Sequence, residues 1–517
     1  MNEIYVGQDL WEKYGFHTNP FDTNPLTAES SFLPIAEAMV GRGSDTKESQ
    51  ILTNFLRNRG GGRILIEGNI GVGKTTFINY HRYLWEHYSR DRLFTTNREI
   101  SVTSRWQISQ FLGNILASLL SKLLSQFKEE KILKNSIFKE VLAFSRVFYN
   151  YNYTIEASAL GFGGGFGKSE QINVPNISES QLLEYFSLMV LEIKKLGYAG
   201  LFLHLDNLEL LNREDLRRTH TFFEEIRDIL QVTDVYFVFV AKRGFFREVI
   251  SPLERVRSIF FGRPVVVNAL TKEQVLDAVH RRYHLLSITK DKFIAPVEDS
   301  FIEYLHDLYG GRLRYIMDAL NMLLPEIATK RAETISTEQA QKKLKNLVAE
   351  QTREHLTPLE WNLLLFCCQQ ENFTNGYLSN HFSLPTSNIS RILNRLSDLD
   401  MIYLDQKEGK NIYYRVSEFA KPLKDWKDDV MGKNDTTISR EIDSTNKTRQ
   451  LQNSRKQRLN RIIRFIQERG EIQQKDCAEF LKISLATVSR DMKELIYLGN
   501  IVCREDGKQK YYRIKNP

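Results

Sequence analysis

A chain of 517 residues is too long for one hydrophobic core, and the usual domain size divides it into three or four compact units. With 42% hydrophobic and 26% charged residues it has ordinary globular composition. No apolar run spans a bilayer and no export signal opens the chain, so membrane and secreted classes are excluded and a cytoplasmic location is expected. A net charge of +7 is too mild to identify a nucleic-acid binder by itself, and the four cysteines (adjacent Cys367 and Cys368, isolated Cys477 and Cys503) lack zinc spacing and are expected to be reduced, structural thiols.

In chain order, residues 1–60 carry Tyr14-Gly15-Phe16-His17-Thr18-Asn19-Pro20-Phe21 and then Val40-Gly41-Arg42, ahead of a helix-like stretch. The apolar runs Ile64-Leu65-Ile66, Leu201-Phe202-Leu203-His204-Leu205 and Val235-Tyr236-Phe237-Val238-Phe239-Val240 are short and unalternating, as buried parallel strands read. They define an α/β core over 1–264. It carries an insertion at about 106–176, helical over 106–146, in which the glycine-dense run Ala157 to Gly167 reads as a hairpin or flexible loop. Residues 265–350 turn helical, with starts at Thr271-Lys272-Glu273-Gln274 and after Tyr309-Gly310-Gly311-Arg312-Leu313-Arg314, and form a candidate lid. A polar linker over 421–454 separates two similar modules, 354–420 and 455–517. In each, Ser-Arg on a polar helix (Ser390-Arg391; Ser489-Arg490) is followed by an apolar strand, a basic turn and a Tyr-Tyr-Arg strand (Tyr413-Tyr414-Arg415; Tyr511-Tyr512-Arg513), the order of a winged helix-turn-helix. The predicted fold class is α/β, a parallel sheet with a helical lid followed by two winged helix-turn-helix domains, and the glycine-rich run Gly68 to Thr75 after the first strand makes it a P-loop NTPase.

Gly68-Asn69-Ile70-Gly71-Val72-Gly73-Lys74-Thr75 matches the phosphate-binding loop, between a strand and a helix as that motif must be, with Thr76 next in line. Its glycines let backbone N–H groups converge on phosphate, Lys74 reaches the outer phosphates of ATP, and the Thr75 hydroxyl ligates Mg²⁺. Asp206, at the end of its strand, holds Mg²⁺ through water. Asn207 stands where a water-polarising glutamate is common, and Glu209 is either a substitute base or a solvated helix-start acid. Slow hydrolysis is expected, with ATP acting as a conformational switch. Arg243, ending the next strand, is the candidate sensor; Arg255, Arg257 and Arg314 are candidates to reach phosphate, against the alternative of structural ion pairs.

On the modules, Ser387, Asn388, Arg391 and Arg395 with Lys410, and Thr487, Ser489, Arg490 and Lys493 with Lys508, supply the short polar and guanidinium groups that duplex DNA contacts require. The competing reading gives these modules to protein contacts.

Together, the N-terminal segment, Gly41-Arg42, the phosphate loop, Leu205-Asp206, Arg243, Arg255-Val256-Arg257, Gly311 to Arg314 and a C-terminal winged helix resemble the origin-recognition initiator branch of AAA+ ATPases, over about residues 14–415. The resemblance implies an ATP-switched binder of double-stranded DNA that assembles as a homo-oligomer. Arg255 or Arg257 would act on a neighbouring subunit's nucleotide and Arg314 in cis. Asn207, the basic pair Lys242-Arg243 at the sensor strand and the second winged helix depart from that pattern. The sensor arginine and the glycine-rich insertion also resemble STAND signalling ATPases, which implies the alternative of an anti-phage defence sensor whose winged helices contact a partner protein.

Overall fold

The computed structural model of the chain describes residues 10–28, 30, 32–103, 106–144, 177–208, 216–327, 332–408, 411–424 and 426, and towards the C-terminus 459, 462–467, 469–481, 488–489, 491–492, 495–496, 501–506 and 509–514. The glycine-dense run 157–167 and the linker beyond residue 426 lie outside these.

The first half of the chain places α1 (Leu10–Tyr14), α2 (Ile35–Ala38), α3 (Lys47–Leu56), β1 (Gly61–Gly68), α4 (Lys74–His87), β2 (Leu93–Thr95), β3 (Ile100–Ser101), α5 (Ile108–Gln126), α6 (Glu129–Leu133), α7 (Glu179–Lys195), β4 (Gly200–Asp206), α8 (Leu216–Glu225), β5 (Val235–Lys242), α9 (Glu254–Arg257) and β6 (Val265–Val266). The strands form a parallel sheet in the order β2-β4-β5-β1-β6, with β3 also on β4. Alternate side chains leave the two faces of a strand. Leu65, Leu203, Leu205, Phe237 and Phe239 accordingly enter one core with α5 and α7, while Ile64, Ile66, Phe202, Val238 and Val240 enter another with α3 and α4. Burial on both faces explains the unbroken apolar runs. Among the described residues, α5 alone is a helix long and apolar enough to cross a bilayer; 56% of that stretch is buried inside the structure. Its side chains from Phe111 to Leu123 fill the first core, so residues 108–126, at the start of the segment read as an insertion, pack into the interior of the sheet domain.

The second half of this domain is the lid, α10 (Lys272–Leu286), α11 (Asp299–Tyr309), α12 (Leu313–Ile327) and α13 (Thr337–Arg353). Thr271 and Gln274 close the capping box their spacing predicts. The N-terminal segment packs here, which differs from a division of the chain at residue 264: Tyr14, Phe16, Phe21, Leu26 and Ile35 share one core with Val279, Tyr283, Phe301 and Leu305. Phe16 stacks on Tyr283 at 5.4 Å, and the His17 N–H donates to the Leu286 carbonyl at 2.8 Å.

The chain divides into two compact units, residues 1–354 with 370–424, and residues 355–369 with 425–517. Within the first, α15 (Asn375–Phe382), α16 (Thr386–Asp398), β7 (Phe373–Thr374), β8 (Ile402–Glu408) and β9 (Asn411–Val416) make a helix pair and an antiparallel sheet, β7-β9-β8. The second contains α14 (Pro358–Cys368), α17 (Gln474–Leu481), β10 (Glu471–Gln473), β11 (Ile501–Asp506) and β12 (Gln509–Ile514), with the sheet order β10-β12-β11. In both sheets the Tyr-Tyr-Arg strand is central. The boundary predicted at 354 is shifted because α14, apolar on all sides, carries no one-faced pattern to assign it to a neighbour.

Candidate functional site

β1 runs into the loop at Gly68, and α4 opens at Lys74, so the loop's N–H groups stand at a helix N-terminus. Gly71 and Gly73 hold φ of +81° and +88°, backbone that side chains rarely adopt; at Gly71 a Cβ would also lie 3.2 Å from the Tyr315 ring. Lys74 is 9% exposed, its Nζ donating to the carbonyls of Gly68 at 3.1 Å and Asn69 at 3.0 Å. The guanidinium of buried Arg42 donates to the carbonyls of Val72, at 3.3 Å, and Asn268, bracing the loop from below.

The sheet order puts β5 between β1 and β4, so Asp206 faces the loop across one strand. The Thr75 hydroxyl donates to Asp206 Oδ2 at 2.7 Å, and the Asn207 N–H donates to Oδ1 at 2.7 Å. His204 Nε2 approaches Oδ2 at 3.4 Å, an electrostatic contact rather than an aligned hydrogen bond. Burial opposes ionisation of Asp206, but His204, Thr75 and the Asn207 N–H outweigh it and hold its carboxyl below the usual carboxylate range. Asp206 is therefore a buried, ionised oxygen donor beside a hydroxyl, the hard-ligand pair that suits Mg²⁺.

Asn207 has φ +61°, and its side-chain amide donates to Ser101 Oγ at 2.9 Å. Glu209 lies outside the described residues.

The loop lines a cleft of about 690 Å³, solvent-open space included, with Ile70, Gly71, Gly73, Lys74, Thr75, Thr76, Asp206 and Asn207 on one side. The lid contributes Leu313, Arg314 and Met317, and the Arg314 N–H also donates to the Gly71 carbonyl at 3.3 Å. The residues Asp22 to Pro25 and Arg282 also line it, and no sequence motif announces them. Arg282, buried on α10, donates to the carbonyls of Pro20 at 3.2 Å and Asp22 at 2.6 Å; burial pushes its pKa down to about 10. A second cavity adjoins, sharing Gly73, Thr76, Arg282 and Leu313 and walled by Leu26, Met39, Val40 and Leu270, an apolar slot suited to a planar ring. This is a P-loop nucleotide-binding fold with a helical lid.

No protein-family model and no curated protein sequence matches the chain. Solved structures do. The Aeropyrum pernix ORC2 protein, in ADPNP–ADP complexes, is 16% identical over 79% of this chain and 96% of its own, with a TM-score of 0.41. A Walker-type ATPase of Pyrococcus abyssi is 13% identical over 78% and 99%, with a TM-score of 0.39. Cdc6p from Pyrobaculum aerophilum is 15% identical over 74% and 96%, with a TM-score of 0.33.

Arg243, Arg255 and Arg257 do not line the cleft. Arg243, in the turn after β5, is exposed and does not line it; that turn is fixed by the buried Glu67 carboxylate, which accepts the N–H of Gly244 at 3.1 Å and of Phe246 at 2.6 Å. Arg255 and Arg257, on α9, are likewise exposed and off the cleft. On α16, Ile389, Ile392, Leu393 and Leu396 are buried, whereas Ser387, Arg391 and Arg395 are exposed and Asn388 is half-buried. In the second unit Ser489 is half-buried; Thr487, Arg490, Lys493 and Lys508, with Lys410 of the first, lie outside the described residues.

Proposed function

We propose that the chain is an ATP-binding switch of the origin-recognition AAA+ type, a weak ATPase that works on double-stranded DNA as a homo-oligomer. The observation that carries this reading is the Thr75–Asp206 pair, 2.7 Å apart at the mouth of a phosphate loop whose lysine is in place and whose opposite wall is the lid residue Arg314. Thr75 and Asp206 would hold Mg²⁺, which would supply charge neutralisation at the outer phosphates. The N–H groups at the start of α4 and Lys74 bind the phosphates, the apolar slot takes the base, and Arg314 ties the lid to the bound nucleotide. Asn207 can orient a water but not accept its proton, which keeps the bound state long-lived. The exposed polar face of α16, with its arginines, is the surface offered to DNA as the recognition helix of a winged helix.

ATP titration with Mg²⁺ tests the site. Lys74→Ala is expected to lose ATP binding while staying folded, and a folded variant with undiminished affinity would remove the phosphate loop as the site. Random duplex DNA at two salt concentrations tests the rest. Affinity should fall steeply as salt rises, and no binding at low salt would assign the modules to protein contacts instead.

A further inference from the structure

We infer that Arg312 and Glu418 form a relay by which occupancy of the nucleotide cleft is transmitted to the module over residues 370–424, an inference that rests on the nucleotide-binding reading above. The links are contiguous. Gly71, in the phosphate loop, has the Tyr315 ring against its Cα, close enough that a Cβ would sit 3.2 Å from it. The Arg312 guanidinium lies 5.0 Å from the centre of that same ring and is oriented by a 2.9 Å hydrogen bond from Nε to the Tyr309 carbonyl. Its Nη2 pairs with Glu418, two residues beyond β9, in a contact where both side chains are largely buried (18% and 10% exposed). Lys421 meets the same carboxylate at 3.1 Å, and the turn Lys421–Leu423 packs on α11 and α13 of the lid.

Only Leu313 separates Arg312 from Arg314, whose backbone N–H is bonded to Gly71. A shift of the phosphate loop against the start of α12 therefore moves the cation that Glu418 is paired with. A largely buried ion pair tolerates poor geometry badly, because each charge has given up water for its partner, so the pair is made or broken rather than stretched. Arginine is required for this: lysine would keep the charge but lose both the stacking on Tyr315 and the planar fork.

Amide hydrogen exchange on the full chain, with and without ATP and Mg²⁺, tests it. In wild type, ATP should change exchange across residues 411–424 by about five-fold or more, the lower end of usual coupling between sites. Glu418→Gln should abolish that change while ATP still binds, and Arg312→Lys should weaken it; should Glu418→Gln fail to fold, Arg312→Lys carries the comparison. Wild-type protein that binds ATP with no change at 411–424, or variants that keep the wild-type response, would overturn the relay and leave the nucleotide site standing. Wild-type protein that binds no ATP would remove both.

Discussion

At Asn207 the backbone is left-handed and the side-chain amide is committed to Ser101, so the residue is suited to its conformation and not merely a missing glutamate. Asn and Asp are enriched in that region of backbone space, whereas other residues incur about 1–2 kcal/mol there. Asn207→Glu therefore restores a base under strain, while Asn207→Asp supplies a carboxylate without it. Wild-type single-turnover hydrolysis is expected below about 10 s⁻¹, the middle of the usual enzyme range. Asn207→Asp should be faster, with a thermal midpoint closer to wild type than that of Asn207→Glu; a quicker wild type, or an inert aspartate, would end the slow-switch account. Comparing Glu209→Gln in the same assay decides whether Glu209 is the substitute base. The phosphate loop and Asp206 are legible in the sequence because spacing and a strand end position them, whereas Arg314 is only one of several candidate arginines until the fold brings it to the cleft. The left-handed turn at Asn207 is not, since φ leaves no mark on a single asparagine. Neither is the fixing of the turn at Arg243, which depends on the carboxylate of Glu67, 177 positions before the Gly244 N–H that it accepts.

Among the elements, α16 divides its labour cleanly: one face buries Ile389, Ile392, Leu393 and Leu396, and the other presents Arg391 and Arg395. Arg391→Ala should leave the thermal midpoint unchanged, because the residue is exposed, and weaken binding of a specific duplex by about 1–3 kcal/mol if the arginine reads a guanine edge. Combined with Arg490→Ala, wild-type DNA affinity would refute the recognition-helix assignment; fluorescence anisotropy measures both. The strands of the sheet are readable as elements because burial on both faces gives unbroken apolar runs. The role of α5 is obscured by its nearness to a glycine-rich stretch, which makes core and insertion look like one segment. Helix α14 shows the opposite difficulty, being apolar all round and so silent about its partners.

For the whole molecule, Arg255 and Arg257 are exposed on α9 and off their own cleft, so the proposed role for them is on the nucleotide of another copy of the chain. Arg255→Ala with Arg257→Ala is expected to leave ATP affinity at low protein concentration intact and to diminish ATP-dependent assembly, read by sedimentation. Lost affinity in the isolated protomer, or unimpaired assembly, would contradict that role. The shared core of the N-terminal segment and the lid has a consequence for biosynthesis. Arg282 and the Pro20 carbonyl it binds are 262 residues apart in sequence. At about 5–20 residues per second, Tyr14, Phe16 and Phe21 leave the ribosome roughly 13–50 s before the helices that cover them. During that interval a cluster of aromatic side chains has no native partner, so the newborn chain is a client for holdase chaperones until α10 emerges, and the pace of translation sets when the cleft can first close.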